Sequence, residues 1–329
     1  MTVLRAKLDP WLAEQAEEAG ATVMPGVKVD GLIREGSRFV GVRAGEDELR
    51  ARAVVAADGV NSFISRGAGI RAKEPMANLA VGVKSVIGLD EETIRGRFNL
   101  TGDEGAAYAV VGDCTEGVAG GGFMYTNRES VSIGIVARLD DLAKKGKSSS
   151  DLHDHFLSHP AIAPFLEGGE LLEYGCHLVA EGGEKMQHDL VRDGLVVIGD
   201  AAGFTLNTGF TVRGMDLAAG SALAAAKAVG RALEAGDCGR TSLERYIEEY
   251  KSTFVGKDMS TYAKAPAFLE NEEMYGQLGE LLADVLHGVY NLDLTPRRHI
   301  LPTAYGAFKA SGLKIRRLAR IGYQAVRAL

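Results

Sequence analysis

One stretch of the chain limits its fold more than any other. An apolar run at residues 195–198 (LVVI) leads into a small-residue turn at 199–203 (GDAAG), and residues 213–216 (RGMD) then open an Ala-rich helix. The run has the length and composition of a buried strand, and the small turn residues let the backbone approach a ligand closely. Such a unit presents backbone N–H groups and the Asp200 carboxylate to a large anionic cofactor. The stretch therefore predicts an α/β fold with a cofactor at the end of a strand.

A second apolar run, residues 54–57, is followed by Asp58 and Gly59. Short apolar runs that end at a turn are typical of parallel strands buried inside a sheet. Before this run, helical spacing of apolar residues predicts a helix over 4–19, and a strand is expected to start at 21–24. Alternating patterns predict the strands of a β-meander at 27–33, 38–43 and 49–53.

The middle of the chain is rich in alternating patterns, which favour an antiparallel sheet. The strands predicted there lie at 79–87, 106–111, 121–125, 130–136 and 171–179. The polar residues 140–150 predict a surface loop. Helices are expected over 215–233 and 242–255, and the remainder is expected to be helical with loops.

Charge and cysteine usage narrow the class of protein. The net charge is −7, yet residues 294–329 hold eight Arg or Lys and no Asp or Glu. This asymmetry indicates a basic contact surface at the C-terminus, whereas the acidic body argues against nucleic-acid binding. Three scattered cysteines, at 114, 176 and 238, argue against a disulfide framework, a zinc site or an iron–sulfur cluster. This cysteine usage suits a reducing cytoplasm, and the sequence has neither an apolar h-region nor an apolar run long enough for a membrane span. The basic C-terminal segment fits a surface that contacts the inner face of the membrane or an acidic partner, or a solvated helix that packs on the body.

Several motifs together resemble a known group of flavoproteins. In chain order they are 5–12 (RAKLDPWL), 54–62 (VVAADGVNS), 199–203 and 213–216. This set is similar to the flavoprotein hydroxylase and geranylgeranyl-reductase superfamily, whose FAD domain is of the p-hydroxybenzoate-hydroxylase type. The resemblance narrows to the FixC branch of electron-transfer-flavoprotein:quinone oxidoreductases through the strings 97–105 (RFNLTGDEG), 123–127 (FMYTN), 159–164 (HPAIAP) and 177–183 (HLVAEGG).

The resemblance implies a mixed α/β fold in which an antiparallel β domain is inserted into an FAD-binding domain. Relatives begin with a strand and a Gly-x-Gly-x-x-Gly helix, a unit of roughly a hundred residues that this sequence does not contain, so the FAD domain is expected to be incomplete. The expected parts are 1–75 (FAD domain, first part), 76–186 (substrate or quinone domain), 187–256 (FAD domain, second part) and 257–329 (helical region with a basic tail).

The resemblance also assigns roles to residues. The residues expected to bind FAD are Arg5, Asp58, Gly59, Gly199, Asp200, Ala201, Gly203, Arg213, Gly214 and Met215. Those expected near the substrate are Glu181, Gly182 and Gly183. Most of these have plain structural alternatives: an Asp capping a turn, a Gly at positive φ, an ordinary helix start or a solvated charge. No side chain is expected to act as a catalytic nucleophile or base, and no metal site is expected.

The implied activity is transfer of electrons from a reduced electron-transfer flavoprotein, through FAD, to a quinone or a ferredoxin-like subunit. Two alternatives stay open at this point. One is reduction of isoprenoid double bonds, as in geranylgeranyl reductases. The other is a non-catalytic fragment or subunit that needs another chain to complete its FAD site.

Overall fold

The structure, a computed structural model, describes residues 3–209, 211–292 and 294–329. The strands are β1 (Gly31–Glu35), β2 (Arg38–Ala44), β3 (Asp47–Arg50), β4 (Val54–Ala56), β5 (Leu79–Gly88), β6 (Ala107–Val110), β7 (Gly120–Thr126), β8 (Ser130–Arg138), β9 (Glu170–Ala180), β10 (Val191–Arg192), β11 (Leu195–Val197), β12 (Leu206–Asn207) and β13 (Val212–Arg213). The α-helices are α1 (Arg5–Glu18), α2 (Phe63–Gly67), α3 (Glu91–Phe98), α4 (Leu139–Lys145), α5 (Ser149–Ser158), α6 (Ala163–Leu166), α7 (Met215–Glu234), α8 (Arg240–Leu243), α9 (Arg245–Ser252), α10 (Phe254–Thr261), α11 (Ala265–Phe268), α12 (Gln277–Tyr290), α13 (Ile300–Ala310) and α14 (Ile315–Ala328).

The two apolar runs that open the sequence argument are neighbouring strands. β11 pairs with β4 in parallel, with Val197 opposite Ala56, in a small sheet of order β10-β11-β4. All three residues of β11 are fully buried. The Ala-rich face of α7 lies in the same core, where Ala224 and Ala228 are buried, because small side chains let a helix pack closely on a sheet. The parallel pairing predicted for 54–57 is confirmed, but its burial is not, because β4 lies at the edge of the sheet formed by the described strands and Val55 is 42% exposed.

The antiparallel sheet predicted in the middle of the chain is also present. Its order is β6-β7-β8-β5-β9, and each pairing in it is antiparallel. Helix α5 covers one face, with Leu152 and Phe156 fully buried against the sheet. Gly122 allows this contact, since a Cβ there would lie 2.8 Å from the Phe156 ring. The mixed α/β fold class, with an inserted antiparallel sheet and a helical C-terminus, is therefore confirmed.

Three local predictions were wrong. Residues 21–24 form no strand, because no described segment pairs with them and they are mostly exposed. The expected loop at 140–150 contains α4, whose two aspartates in the first turn and two lysines in the last turn suit the helix dipole. The single helix expected over 242–255 is divided into α8, α9 and α10, and Thr253 caps α10 through its side chain.

The outermost helices make few buried contacts. α1 has no buried residue, and α12 buries only Leu281 among its described residues. Helices α12 and α13 pack on each other, and α14 packs beside α11. Across residues 3–209, 211–292 and 294–329, no helix combines the length and apolar character needed to cross a bilayer.

Candidate functional site

The parallel pairing of β4 and β11 brings two predicted motifs to one edge of the small sheet. The ladder continues past the strands, since the Ile198 N–H donates to the Ala56 carbonyl at 3.0 Å. Asp58 and Gly199 each come two residues after the end of their strand. Because parallel strands end at the same edge, the turn after Asp58 and the turn after Gly199 lie side by side.

The turn at 199–203 has a conformation that requires glycine at both ends. Gly199 has φ +59° and Gly203 has φ +78°, in the left-handed region that favours glycine. A Cβ on Gly203 would also lie 2.4 Å from the Met186 Cβ. The buried Ser221 of α7 fixes the start of the turn, because its Oγ accepts the Gly199 N–H at 3.0 Å. The turn is therefore held against both α7 and the segment that follows β9.

Asp200 and the N-terminal end of α7 lie close together. A Cβ on Gly214 would lie 3.9 Å from Asp200 Oδ1 and 3.6 Å from Thr205 Cγ2. Met215, the first residue of α7, is exposed, and no side chain of the described residues caps the helix start at Gly214, so the first N–H groups of α7 are available to a ligand near Asp200. Burial raises the pKa of the Asp200 carboxyl, and the charges of Arg5 and His177 oppose the rise. The arrangement combines a carboxylate, an open glycine and a positive helix end.

A cavity of about 260 Å³ adjoins Asp200 and Ala201. Its lining includes Val60, Leu79, Leu178, Met186, Asn61, Ser62, Arg66, Arg71 and Lys73. The Oγ of Ser62 and the Oδ1 of Asp58 are buried and have no hydrogen-bond partner within the part of the chain that is described. Unsatisfied buried polar atoms are costly, and because Ser62 lines this cavity, a molecule bound there can satisfy its Oγ. The other oxygen of Asp58 accepts the Ile64 N–H at 2.8 Å.

The two arginines predicted to bind FAD, Arg5 and Arg213, form different ion pairs in the structure. Arg5, at the start of α1, forms an ion pair with Asp9 at 2.6 Å, and its charge also acts on Asp200. The guanidinium of Arg213 binds the Asp216 carboxylate and, at 2.6 Å, the Asp258 carboxylate. These partners raise the pKa of Arg213. Arg213 therefore anchors the start of α7 to α10.

The motif at 181–183 lies next to the same region, at the end of β9. The Ala180 carbonyl accepts the Thr205 hydroxyl at 2.6 Å, and Thr205 contacts the position of Gly214. Glu181 Oε1 accepts the Asn207 amide at 3.0 Å, and burial raises the pKa of Glu181. Gly182 and Gly183 admit close neighbours, since a Cβ would lie 2.6 Å from Met186 and 3.3 Å from Pro266 respectively. The structure thus brings the substrate motif beside the predicted FAD motifs.

Comparison with known proteins identifies the family. Residues 2–97 match the family described as FAD binding domain. The probable electron transfer flavoprotein-quinone oxidoreductase YdiS of Escherichia coli K12 is 47% identical over 312 residues, which cover 95% of this chain and 73% of YdiS. Protein FixC of E. coli O157:H7 is 43% identical over 292 residues, which cover 89% of this chain and 68% of FixC.

The chain belongs to the FixC family of electron transfer flavoprotein-quinone oxidoreductases. It is an FAD-dependent oxidoreductase, and FAD is its cofactor. A geranylgeranyl bacteriochlorophyll reductase-like protein of Thermoplasma acidophilum shares the fold, with a TM-score of 0.67 and 21% identity over 96% of this chain and 75% of that structure. The resemblance to the FixC branch is confirmed.

The edge formed by the two turns fits an FAD molecule. Ser62 Oγ and Asp58 Oδ1 are buried and need partners that a ligand can supply. A Cβ on Gly214 would occupy the space 3.9 Å from Asp200 Oδ1, which glycine leaves open to a ligand. Among the described residues, no three His, Cys, Asp or Glu side chains are placed to hold a metal ion.

Sequence reasoning missed the residues that support this edge. Ser221 and Thr205 hold the turn and the β9 end, but their partners are 22 and 25 residues away. The buried Arg71 donates to the Met186 carbonyl at 2.8 Å across 115 residues. Nothing local in the sequence indicates these pairings. Ser62 is different, because it lies three residues after Gly59, at the end of the motif 54–62, and a polar residue at that position was a usable signal.

Proposed function

We propose that this chain accepts electrons from a reduced electron transfer flavoprotein and passes them through FAD to a quinone. The observation that supports this most is the placement of Asp200 beside Gly214, at the edge where β4 and β11 end. The classes of donor and acceptor follow the name of YdiS, a probable electron transfer flavoprotein-quinone oxidoreductase. A carboxylate beside a helix start suits a flavin, which has both hydroxyl donors and a ring that becomes negative on reduction.

In this proposal the turn at 199–203 holds the ribityl chain of FAD. The Asp200 carboxylate accepts hydrogen bonds from ribityl hydroxyls, and this gain offsets the cost of its burial. Gly199, Ala201 and Gly203 keep the backbone free of side chains that would prevent a close approach.

The start of α7 is proposed to stabilise the flavin ring. Gly214 and Met215 present backbone N–H groups, and the helix adds partial positive charge at that end. Arg213 holds the helix start in place through Asp216 and Asp258. Bound FAD supplies the electron-transfer chemistry itself, and the chain binds, orients and shields it from water.

The turn after β4 is proposed to serve the phosphate end of FAD. Asp58 and Gly59 shape the turn, and Ser62 Oγ is free to donate to a phosphate oxygen. Arg5 contributes positive charge from α1, although its guanidinium also pairs with Asp9, so the phosphates compete with Asp9 for it. Glu181, Gly182 and Gly183 are proposed to border the place where the quinone approaches.

Anaerobic electron transfer tests the proposal. Reduced electron transfer flavoprotein is mixed with a short-chain, water-soluble quinone, with and without a catalytic amount of the FAD-loaded chain, and the return of the donor's flavin absorbance is followed. We expect the chain to speed this reoxidation, as electrons pass from the donor through FAD to the quinone. Reoxidation of the donor with oxidised ferredoxin or a prenyl lipid, but not with the quinone, would contradict the proposed acceptor.

Variants connect the activity to the site. D200N should weaken FAD binding, whereas D284N, which changes an exposed aspartate on α12, should leave binding and electron transfer unchanged. Equal FAD affinity in D200N and wild type would contradict the proposed role of the turn.

A further inference from the structure

A second cavity, of about 390 Å³, lies between α11 and α14. Among the described residues, none lines both this cavity and the one beside Asp200. We call it the α14 pocket. Its walls combine basic, aromatic and apolar side chains, including those of Lys264, Arg320, Arg327, Tyr323, Phe268 and Ala328. A pocket of this size, with an apolar wall and a few polar groups, is typical of small-molecule sites.

The sequence pattern of α14 builds this pocket. Ile321 and Ala328 are seven residues apart and buried in one cluster with Phe268 of α11, so they lie on the face of α14 that packs inward. Arg320 and Arg327 have the same spacing, one position earlier along the helix, so they lie on one side of α14, two turns apart. Both guanidinium groups therefore border the same groove.

The three basic side chains of the pocket have no acidic partner in the part of the chain that is described. Lys264, Arg320 and Arg327 form no ion pair there, and no acidic residue is among those lining the pocket. The ion pair that α14 does form joins Arg317 to Glu273, and neither of these lines the pocket. Like charges around one cavity repel each other, so this arrangement favours a bound anion.

A neutral side chain orients one of these cations. Arg327 Nη1 donates to the Tyr323 hydroxyl at 3.1 Å, and the guanidinium carbon lies 5.5 Å from the centre of the Tyr323 ring. A phenol holds the guanidinium in place without cancelling its charge, as a carboxylate would. The other N–H groups of Arg327 stay available, and guanidinium groups bind phosphate oxygens through paired hydrogen bonds.

From this combination we infer that the α14 pocket binds a nucleoside diphosphate. The phosphates lie between Arg320, Arg327 and Lys264, because a diphosphate carries more negative charge than a single phosphate and so suits three cations. The base lies against the apolar wall at Phe268 and the exposed ring of Tyr323, since planar bases stack on aromatic side chains. This binding is independent of the proposed electron donor and acceptor.

Calorimetric titration with ADP tests the inference on the FAD-loaded chain, freed of excess FAD. We expect saturable binding whose affinity falls as the salt concentration rises. R320Q/R327Q should weaken ADP binding about a hundredfold, because each charge-assisted guanidinium contact contributes about tenfold or more. The matched control R298Q/R316Q removes two exposed arginines of the same C-terminal segment that do not line the pocket, and it should bind ADP as wild type does.

Three further probes identify the part of the ligand that is recognised. Adenosine and inorganic phosphate should each bind at least about tenfold more weakly than ADP, because each lacks half of the contacts. Dioctanoyl phosphatidic acid, a soluble lipid phosphate, should also bind more weakly, since it has no planar base.

Four results would overturn the inference. They are the absence of saturable ADP binding at millimolar concentration, an affinity for phosphate or the lipid probe equal to that for ADP, equal ADP affinities of the two double variants, and release of flavin as ADP binds. The last result would place ADP in the FAD site and not in the α14 pocket. The titration needs no electron transfer, so this inference and the proposed function fail separately.

Discussion

Replacement of Ser221 by alanine tests how the turn at 199–203 is held. Ser221 is fully buried; its Oγ accepts the Gly199 N–H at 3.0 Å and donates to the Ala218 carbonyl at 2.7 Å. Alanine would leave the buried Gly199 N–H without its acceptor, which costs about 1–3 kcal/mol. Since m-values rise with size from about 1–3 kcal/mol per molar urea in small proteins, the unfolding midpoint of this 329-residue chain should fall by up to about 1 M.

Ser252 provides a matched control for this change. Its Oγ makes the same kind of bond within a helix, to the Glu249 carbonyl at 2.8 Å, but the residue is exposed. S252A should therefore change the free energy of unfolding by no more than about 0.5 kcal/mol. FAD titration of S221A should show weaker binding, because the freed turn no longer fixes Asp200. Equal urea midpoints and equal FAD affinities for S221A and S252A would refute the reasoning.

Three further changes test the surroundings of the site. R71M removes a guanidinium that binds Glu74 and two carbonyls and whose side chain is only 2% exposed. In the urea assay it should lower the free energy of unfolding by about 3–5 kcal/mol. The control R95M, at an exposed ion pair, should cost no more than about 1 kcal/mol in the same assay. G203A should destabilise by at least about 1–2 kcal/mol, because of its left-handed φ and the contact with Met186. By contrast G230A, which has open space inside α7, should stabilise by about 0.5–1 kcal/mol; equal effects of these two would count against the turn geometry. Burial raises the pKa of the Asp200 carboxyl in the folded state above its value in the unfolded chain. In the flavin-free protein the free energy of unfolding therefore falls as pH rises from the unfolded pKa to the folded pKa, and it falls no further above that pH. D200N should then match wild type at the lowest pH and exceed it in urea resistance at neutral pH, and a less stable D200N at neutral pH would contradict this.

Features that depend on local pattern could be predicted from the sequence. The continuous apolar runs at 195–198 and 54–57 indicated buried parallel strands. The pairing of Val197 with Ala56 confirms that they are parallel, but only β11 is fully buried, since Val55 of β4 is exposed. The alternating patterns located the central sheet, in which β7 carries one buried face along its length, although β5 and β8 are buried on both faces. The placement of Asp200 beside Gly214 was expected from the family motifs, and their adjacency in the fold agrees. The four-part domain division stays a prediction.

Features that depend on distant partners could not be predicted. The bonds of Arg71 to Met186 and of Thr205 to Ala180 join segments that the sequence gives no reason to bring together. A strand at 21–24 failed for the same reason, since local composition such as Thr22 and Val23 shows strand tendency but cannot supply a pairing partner. The helix α4 is a different case, because aspartates at its start and lysines at its end were a visible helix signal that the polar composition obscured.

The central claim is that Asp200 and the start of α7 together hold the flavin. A crystal structure of the chain with FAD bound tests it most directly. The account predicts ribityl hydroxyls within hydrogen-bond distance of the Asp200 carboxylate and the edge of the flavin ring against the N–H groups of Gly214 and Met215. Flavin density elsewhere, with Asp200 and Gly214 facing only solvent, would contradict it.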